Sequence, residues 1–443
     1  MTVLFIANRG EIAARIERTA RTLGLRCAVG SPEVDAGLPY VEEADIVVPL
    51  DSPRAFGDVE AMVAAAVAAG AELVHPGYGF LSENPDFARA VAQAGMTFVG
   101  PSAEVIASMG DKANARRLAQ ASGVPVTPGS PGPVESLEEA HGVAQAIGFP
   151  LMVKAVAGGG GIAMAVVAEE AGLAAAVEQV AGRGRSVFGD GRMIVERYVE
   201  RSRHIEAQIM GLPDGRVIAL GERDCSVQRR HQKVVEESPS PALTPAVREQ
   251  VARQAVALGE AVGYRNAGTV EFIYDVDREE FYFLEMNTRL QVEHPVTEAV
   301  HGVDLVAWQL AVARGDSEIP EGFSATPNGH AIELRIYAED PERFLPRPGT
   351  VTRWQMPSGA GVRVDAGYRE GTAVTPFFDP LMAKMIVWGA TREEALERTR
   401  KAAAEMAVEG PGVNLPYLVR VLDSEPFATG DYITGLVVDE RDG

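Results

Sequence analysis

Residues 3–29 have the sequence VLFIANRGEIAARIERTARTLGLRCAV, and this stretch predicts the fold class of the chain. Residues 3–7 form a short apolar run typical of a buried strand, and the segment after them repeats isoleucine at a helical spacing. Residues 25–29 return to the apolar pattern of a strand. Because a strand, a helix and a second strand in this order are typical of a parallel sheet, we expect a doubly wound α/β domain at the N-terminus.

Two segments rich in proline and glycine indicate where the chain divides. Residues 123–133, GVPVTPGSPGP, contain too many helix and strand breakers for the interior of an element, and residues 326–329 form a second candidate linker. After the first linker, the alternation of helical and strand patterns predicts a small α+β lobe over about residues 130–200. The predicted fold class is therefore α/β and α+β, in more than one domain.

The composition excludes several classes of protein. The chain has 62 acidic and 41 basic residues, a net charge of −21, and such a field repels polyanions, so we expect no nucleic-acid partner. Its two cysteines cannot form a disulfide framework, which favours a reducing compartment. The longest apolar run, residues 61–69, is about half of the roughly 20 residues that a membrane helix needs. We therefore expect a cytoplasmic protein that does not associate with membranes.

A run of four glycines, residues 158–161, follows the strand predicted over residues 151–156. Backbone amides without side chains can approach a phosphate closely, and glycine adopts the backbone angles that such a loop needs. The run is not a P-loop, since no Gly-Lys-Ser/Thr sequence follows it. The alternative is a flexible hairpin without a ligand, and the run alone does not separate the two.

Polar residues alternate along residues 281–294, which we expect to be an extended strand. At a two-residue spacing one face of it would carry Glu285, Asn287, Arg289, Gln291 and Glu293. Glu271 lies in the strand predicted upstream, and a polar turn over residues 275–280 would pair the two strands as a hairpin. Two carboxylates with a nearby amide suit Mg²⁺ or Mn²⁺. The alternative is a solvated sheet face.

A basic cluster could supply the local positive charge that an acidic chain needs to bind an anion. It comprises Arg223, Arg229, Arg230, His231 and Lys233. The alternative is an exposed surface balanced by acidic neighbours. Arg335 alternates with apolar residues in the strand predicted over 331–337, which favours an exposed side chain. Residues 382–385, Met-Ala-Lys-Met, are similar to a biotin-acceptor site, but they lie within a predicted strand, so we do not expect Lys384 to carry biotin.

Six motifs, which follow one another along essentially the whole chain, resemble those of the biotin carboxylases. They are IANRGEI at 6–12, HPGYGFLSEN at 75–84, MGDK at 109–112, ERDCS at 222–226, residues 228–237, and EMNTRLQVEHP at 285–295. The resemblance implies an ATP-grasp fold, in which a small lid lobe closes on ATP. It implies an N-terminal domain over residues 1–110, an ATP-grasp domain over 111–325 with its lid lobe at about 130–200, and a biotin carboxylase C-terminal domain over 326–443.

The resemblance also implies the reaction, in which MgATP activates bicarbonate as carboxyphosphate and N1 of biotin is then carboxylated. The residues implied to contact ATP are Lys112, Lys154, Gly160, Gly161, Glu196, Arg197, Tyr198, Val199, His204, Gln228 and His231. Those implied to bind Mg²⁺ or Mn²⁺ are Glu271, Glu285 and Asn287.

For bicarbonate, the resemblance implies binding by Lys233, Arg289 and the backbone of Val292, with Glu293 as the base that removes its proton. Arg335 would stabilise the enolate oxygen of biotin as charge develops on it. The glycine run departs from the family pattern, which is usually longer and continues Arg-Gly-Met, whereas here residues 162–164 are Ile-Ala-Met. We expect this change to make the lid less flexible and to alter its kinetics or the choice of substrate.

The resemblance implies partners as well. We expect biotin on a separate carrier protein, because too little chain follows residue 434 for a biotinyl domain. A separate carboxyltransferase subunit would set the carboxyl acceptor, and we expect a homodimer because dimers are common in the family. Two other functions stay open: an ATP-grasp ligase for another carboxylate, and a non-catalytic ATP-binding scaffold of a carboxylase complex.

Overall fold

The computed structural model describes residues 2–156, 163–229 and 232–436 of the chain. A parallel sheet forms the N-terminal part of the chain. Its strands are β1 (Val3–Ile6), β2 (Arg26–Pro32), β3 (Ile46–Leu50), β4 (Leu73–His75) and β5 (Thr97–Phe98). Its helices are α1 (Gly10–Thr22), α2 (Pro39–Glu43), α3 (Val59–Ala68), α4 (Pro85–Gln93) and α5 (Ala103–Gly110). The strand, helix and strand predicted over residues 3–29 are confirmed.

The order of the strands in this sheet, β3-β2-β1-β4-β5, reverses direction at β1. In open α/β sheets, ligands bind beyond the carboxyl ends of the strands at such a reversal. Asn8 follows β1 and donates hydrogen bonds to the carbonyl oxygens of Pro76, at 2.8 Å, and Tyr78, at 2.7 Å, which follow β4. The two loops are therefore held together at the edge of a crevice.

A small lobe follows α6 (Lys112–Ala121). Its antiparallel sheet has the order β7-β6-β8 and comprises β6 (Leu151–Ala155), β7 (Met164–Val167) and β8 (Met193–Arg197). Helices α7 (Leu137–Ile147) and α8 (Leu173–Phe188) pack against these strands. The lobe has an apolar core of its own, which includes Val153 and Val195, so it can move as a unit.

The large antiparallel sheet has eight strands in the order β13-β12-β9-β10-β11-β14-β19-β17. These are β9 (Ser202–Gly211), β10 (Val217–Arg229), β11 (Gln232–Ser238), β12 (Asn266–Asp275), β13 (Glu280–Asn287), β14 (His330–Tyr337), β17 (Val362–Ala366) and β19 (Leu381–Gly389). Two short pairs comprise β15 (Gly349–Thr350) with β18 (Ala373–Val374), and β16 (Arg353–Gln355) with β20 (Ala407–Glu409). Because β14 pairs with β11, Val235 opposite Leu334, the last third of the chain completes a sheet that the middle third begins.

Six more helices accompany the large sheet. They are α9 (Pro245–Ala261), α10 (His294–His301), α11 (Leu305–Ala313), α12 (Arg392–Glu405), α13 (Leu415–Asp423) and α14 (Glu425–Thr429). Short 3₁₀ turns lie at Glu33–Asp35, Pro53–Gly57 and Glu170–Gly172. Within the described ranges, no helix combines the length and the apolar character that a membrane crossing requires.

The prediction of an extended strand over residues 281–294 is wrong beyond Asn287, where β13 ends. The next residues leave the sheet, and α10 begins at His294 with a proline in its first turn, a position that favours the start of a helix. Glu83 of the N-terminal region holds this segment, since its carboxylate accepts hydrogen bonds from the Thr288 amide and the Arg289 side chain. The polar alternation over residues 281–294 therefore did not distinguish one long strand from a strand followed by a turn.

The exposed position predicted for Arg335 is also wrong, because its side chain is only 7% exposed. All residues of β14 are buried, since this inner strand is covered on both faces. Arg223, considered as a surface residue, is wholly buried as well, while Arg230 and His231 lie outside the described residues. Lys384 is buried within β19, as expected for a lysine that does not carry biotin.

The pairing of β11 with β14 gives a prediction about stability. Leu334→Ala should lower the free energy of unfolding by about 2–5 kcal/mol, because it opens a cavity where the two parts of the sheet join. Urea denaturation followed by circular dichroism measures this change. Leu345→Ala, at a side chain that is 56% exposed, is the control and should shift it by less than about 0.5 kcal/mol. Equal effects of the two substitutions would contradict the prediction.

Candidate active site

A partly buried lysine contacts three carboxylates from different parts of the fold. The Lys233 Nζ lies 2.5 Å from Glu206, 2.6 Å from Glu293 and 3.1 Å from Glu271. Burial alone would lower the pKa of Lys233, but the three carboxylates raise it well above its usual range. Because Glu206, Lys233 and Glu271 stand on β9, β11 and β12 while Glu293 precedes α10, the fold itself assembles this cluster.

Glu293 lies between two cations. One carboxylate oxygen is 2.6 Å from Lys233 Nζ, and the other accepts a hydrogen bond from Arg335 Nη2 at 3.0 Å. Burial alone would raise the pKa of Glu293, but Lys233 and Arg335 hold it well below its usual range. Arg335 is itself oriented by Glu236, which accepts from its Nε at 2.5 Å. Glu293 is therefore ionised at neutral pH and can accept a proton.

The three residues predicted to bind a metal come together as the hairpin prediction requires. Glu271 on β12 stands opposite Glu285 on β13, and Asn287 Nδ2 donates to Glu271 Oε1 at 2.8 Å. Burial and the charge of Glu271 raise the pKa of Glu285. Two carboxylates that stand opposite each other in the hairpin offer hard oxygen donors, which fits Mg²⁺ or Mn²⁺, while the Asn287 oxygen beside them accepts a hydrogen bond from Arg289.

A cavity separates the small lobe from the edge of the large sheet. It is lined by Lys112, Arg116, Lys154, Glu196 and Glu285, among others. Lys154 Nζ lies 2.5 Å from Glu196, and Lys112 Nζ lies 3.7 Å from Glu285. The cavity thus has ammonium groups beside the candidate metal ligands, an arrangement suited to phosphates.

An adjoining cavity of about 1330 Å³ is lined by four further predicted residues: Tyr198, Val199, His204 and Gln228. Gln228 Nε2 lies 2.9 Å from His204 Nδ1, and the other ring nitrogen of His204 lies 2.9 Å from Glu271. Burial alone would lower the pKa of His204, but Glu271 raises it. Arg197 ends β8 beside this cavity without lining it, while Gly160, Gly161 and His231 lie outside the described residues.

A third cavity, of about 1030 Å³, opens at the crevice where the N-terminal sheet reverses. Loop residues after β1 and β4 form one wall, and Arg289, Val292 and Arg335 form part of the other. Arg289 is oriented by Glu83, whose carboxylate accepts from its Nε at 2.9 Å, and by Asn287, whose oxygen accepts at 3.0 Å. Two guanidinium groups therefore face one cavity, which suits an anion.

Sequence reasoning gave no role to three carboxylates that orient these cations: Glu83, Glu206 and Glu236. Glu83 stands in the HPGYGFLSEN motif, but its contact with Arg289 spans 206 residues of chain. Glu206 and Glu236 are wholly buried acidic residues. The apolar residues around Glu206 in β9 could have indicated a buried and therefore paired carboxylate, whereas Glu236 lies in the polar sequence QKVVEES of β11 and gives no such signal.

Comparison with known families matches the chain in three consecutive parts. Residues 1–106 match the biotin carboxylase N-terminal domain, residues 111–319 the ATP-binding domain of the carbamoyl-phosphate synthase L chain, and residues 333–439 the biotin carboxylase C-terminal domain. The chain is 47% identical to the biotin carboxylase of Halalkalibacterium halodurans over 440 residues, 98% of this chain and 97% of the relative. It is 43% identical to a pyruvate carboxylase subunit of Methanothermobacter thermautotrophicus, over 99% of this chain and 90% of that one.

Solved structures give the same result. A biotin carboxylase from Campylobacter jejuni, in complex with a form of ATP, superimposes with a TM-score of 0.92 at 39% identity, over 98% of this chain and 97% of that one. The biotin carboxylase domain dimer of Hydrogenobacter thermophilus 2-oxoglutarate carboxylase, with MgADP, ADP and bicarbonate, gives 0.90 at 41% identity, over 98% and 96%.

The cluster around Lys233 gives a prediction about pH. Lys233→Met should lower the free energy of unfolding by about 3–5 kcal/mol at pH 7.5, because it leaves buried carboxylates without their cation. Their pKa values in the folded state would then exceed those in the unfolded state, so the folded state gains protons as the pH falls. The difference in the free energy of unfolding between wild type and Lys233→Met should therefore be smaller at pH 5.5 than at pH 7.5.

Urea denaturation at both pH values measures that deficit. Lys112→Met is the control, because Lys112 is 52% exposed and its ion pair should contribute no more than about 1 kcal/mol at either pH. An equal deficit at the two pH values would show that Lys233 does not hold the carboxylates in their ionised form.

Proposed function

This chain belongs to the biotin carboxylase family, and on that premise we propose how its residues carry out the ATP-dependent carboxylation of biotin with bicarbonate. The chain is a ligase that forms a C–N bond as ATP is cleaved to ADP and phosphate. The observation that carries the assignment of roles is the position of Glu293 between Lys233 and Arg335, beside Arg289.

ATP would lie between the small lobe and the large sheet. Lys112 and Lys154 would contact its phosphates, with Gly160 and Gly161 over them, and His204 would contact phosphate or ribose. The residues proposed around the base are Glu196, Arg197, Tyr198, Val199, Gln228 and His231. The two adjoining cavities, one lined by ammonium groups and the other by apolar and aromatic side chains, support this orientation.

Glu271, Glu285 and Asn287 would hold Mg²⁺ or Mn²⁺ against the phosphates. A bound divalent ion neutralises phosphate charge and so favours attack on the terminal phosphorus. The opposed carboxylates of β12 and β13, with the amide of Asn287 beside them, support this role. Lys112 would add a further positive charge at the same edge of the sheet.

Bicarbonate would bind to Lys233, Arg289 and the Val292 backbone. Glu293 would take its proton, and an oxygen of the resulting anion would bond to the terminal phosphorus as ADP leaves, which gives carboxyphosphate. The contacts of Glu293 with Lys233 and Arg335 support this role, because they place an unprotonated carboxylate beside two cations that would bind the anion. Its two cations would also stabilise the anion that it generates.

Biotin would enter the third cavity. Carboxyphosphate would break down there to carbon dioxide and phosphate, the phosphate would take the N1 proton, and N1 would bond to the carbon dioxide while Arg335 stabilises the enolate oxygen that develops. Carboxyphosphate is hydrolysed readily, so a small lobe that closes over the reaction would protect it from water. The separate core of that lobe supports such a movement. The convergence of the metal and bicarbonate residues favours catalysis over a scaffold, and the pairing of Glu293 with Arg335 favours biotin carboxylation over a ligase that activates another carboxylate.

The partners that we propose are a biotin carboxyl carrier protein, a second copy of this chain, and a carboxyltransferase on a separate chain. The relative from M. thermautotrophicus is described as one subunit of pyruvate carboxylase, which supports an assembly of several chains. The H. thermophilus structure is described as a domain dimer, which supports a homodimer.

The first test of this function is the release of ADP by the full chain with MgATP and bicarbonate, with and without free biotin. Biotin should stimulate a bicarbonate-dependent release, and Arg289→Ala should reduce that release by about 100-fold or more, because it removes a cation preorganised toward the anion. Arg253→Ala, at an exposed residue of α9, is the control and should keep full activity. ADP release that biotin does not stimulate would favour one of the two other functions, a ligase for another carboxylate or a non-catalytic ATP-binding scaffold.

A second test concerns the metal. Glu285→Gln should weaken the binding of Mn²⁺ in the presence of ADP by about tenfold or more, because a hard anionic ligand is lost. Titration of free Mn²⁺ by electron paramagnetic resonance measures this affinity. Glu280→Gln, at an exposed position of the same strand, should leave the affinity unchanged. Equal affinities in both variants would remove Glu285 from the proposed metal site.

A further inference from the structure

Lys384 is a wholly buried cation that has no part in the roles proposed above. Its Nζ donates a hydrogen bond to the carbonyl oxygen of Val292 at 2.6 Å. Among the described residues, the carboxylate within 4.0 Å of this ammonium is Glu11, at 3.4 Å. The closest polar contact of the buried charge is therefore one backbone carbonyl.

Burying an ammonium group is unfavourable unless its partners compensate for the lost hydration, so a buried lysine with few partners suggests a specific role. An ion pair with Glu11 at 3.4 Å, a single carbonyl and the ring of Tyr78, whose centroid lies 5.9 Å from Nζ, are modest compensation. The carbonyl belongs to the turn between β13 and α10, whereas Lys384 belongs to β19, so the contact joins parts that are 92 residues apart. Its consequence is to fix the position of that turn.

The turn carries the groups proposed to act on bicarbonate. Gln291 and Glu293, on either side of Val292, lie 3.4 Å and 2.6 Å from Lys233 Nζ. Since a peptide group is planar, holding the Val292 carbonyl also fixes the plane through which the chain continues to Glu293. Lys384 stands directly opposite Arg335 in the pairing of β14 with β19, so the same sheet that carries Arg335 also holds the turn.

We propose that Lys384 is a positioning residue for bicarbonate, which holds the Val292 carbonyl, and with it the peptide that leads to Glu293, so that the Glu293 carboxylate faces the anion across from Arg335. This inference rests on the function proposed for the turn. It also explains why a Met-Ala-Lys-Met sequence occurs here without serving as a biotin acceptor. The buried ammonium belongs to the carboxylation site itself.

The test compares Lys384→Met with wild type in the full chain, by the KM for bicarbonate, the KM for ATP and kcat in the biotin-stimulated release of ADP. Lys384→Met should raise the KM for bicarbonate by about tenfold or more, which is about 1.4 kcal/mol, and leave the KM for ATP within about twofold. The nucleotide cavities are lined by other residues, so ATP binding should not change.

Two controls separate positioning from general damage. Glu333→Gln changes a buried side chain on the neighbouring strand to one of the same size, and among the described residues the Glu333 carboxylate has no hydrogen-bond partner to lose. Lys401→Met makes the same change at an exposed lysine of α12. Both should leave the KM for bicarbonate within about twofold of wild type.

An unchanged KM for bicarbonate in Lys384→Met, or a fall in kcat alone in proportion to lost folded protein, would overturn the proposal. If Lys384→Met does not fold, Lys384→Arg decides, since it keeps the charge but replaces the ammonium by a planar group. A rise in the KM for bicarbonate of about threefold or more would support the proposal, and no rise would overturn it. If the wild-type chain shows no bicarbonate-dependent release of ADP, the proposed function itself is wrong. The wild-type measurement therefore distinguishes a failure of the proposed function from a failure of the role proposed for Lys384.

Discussion

The ionic contacts of Lys233 are the constraint on which the rest of the site depends. One ammonium compensates carboxylates from β9, β12 and the turn before α10, and Glu206 is shared with the buried Arg223. Removing Lys233 would leave these buried carboxylates without their shared cation, so the ammonium stabilises the mutual arrangement of the elements that carry them. One proposed metal ligand, Glu271, and the candidate base, Glu293, are consequently placed by the cation that would hold bicarbonate.

The same pairing explains how a chain with a net charge of −21 can bind anions. Three cations proposed to meet phosphate, bicarbonate or the biotin enolate are already oriented by a carboxylate: Lys154 by Glu196, Arg289 by Glu83, and Arg335 by Glu236. These pairs fix the donors before a substrate arrives, and preorganised donors in a cavity that excludes water act more strongly than mobile ones. The electrostatic field that an anion meets in the site is set by these nearby groups, and the net charge of the chain does not determine it.

Much of the fold could be predicted from periodicity, because the first strand, helix and strand and the hairpin of Glu271 with Glu285 depend on local patterns. The end of β13 at Asn287 could not, since it depends on Glu83, a residue distant in sequence. The burial of Arg335 depends on the elements that cover β14. Lys384 received no function for a similar reason: its partner carbonyl is a backbone atom, which no side-chain pattern reports.

The departure of the lid from the family pattern acts on a different part of the molecule from the carboxylation site. Ala163 has a φ of 57°, a left-handed conformation that costs a residue with a β-carbon about 1–2 kcal/mol and that glycine adopts freely. Residues 157–162 before it lie outside the described part of the chain. The residues around bicarbonate stand on the large sheet and the turn after it, which the small lobe does not form. An alanine at this position therefore bears on the conformations open to the lobe, while the geometry around Glu293 is set by Lys233, Arg335 and Lys384.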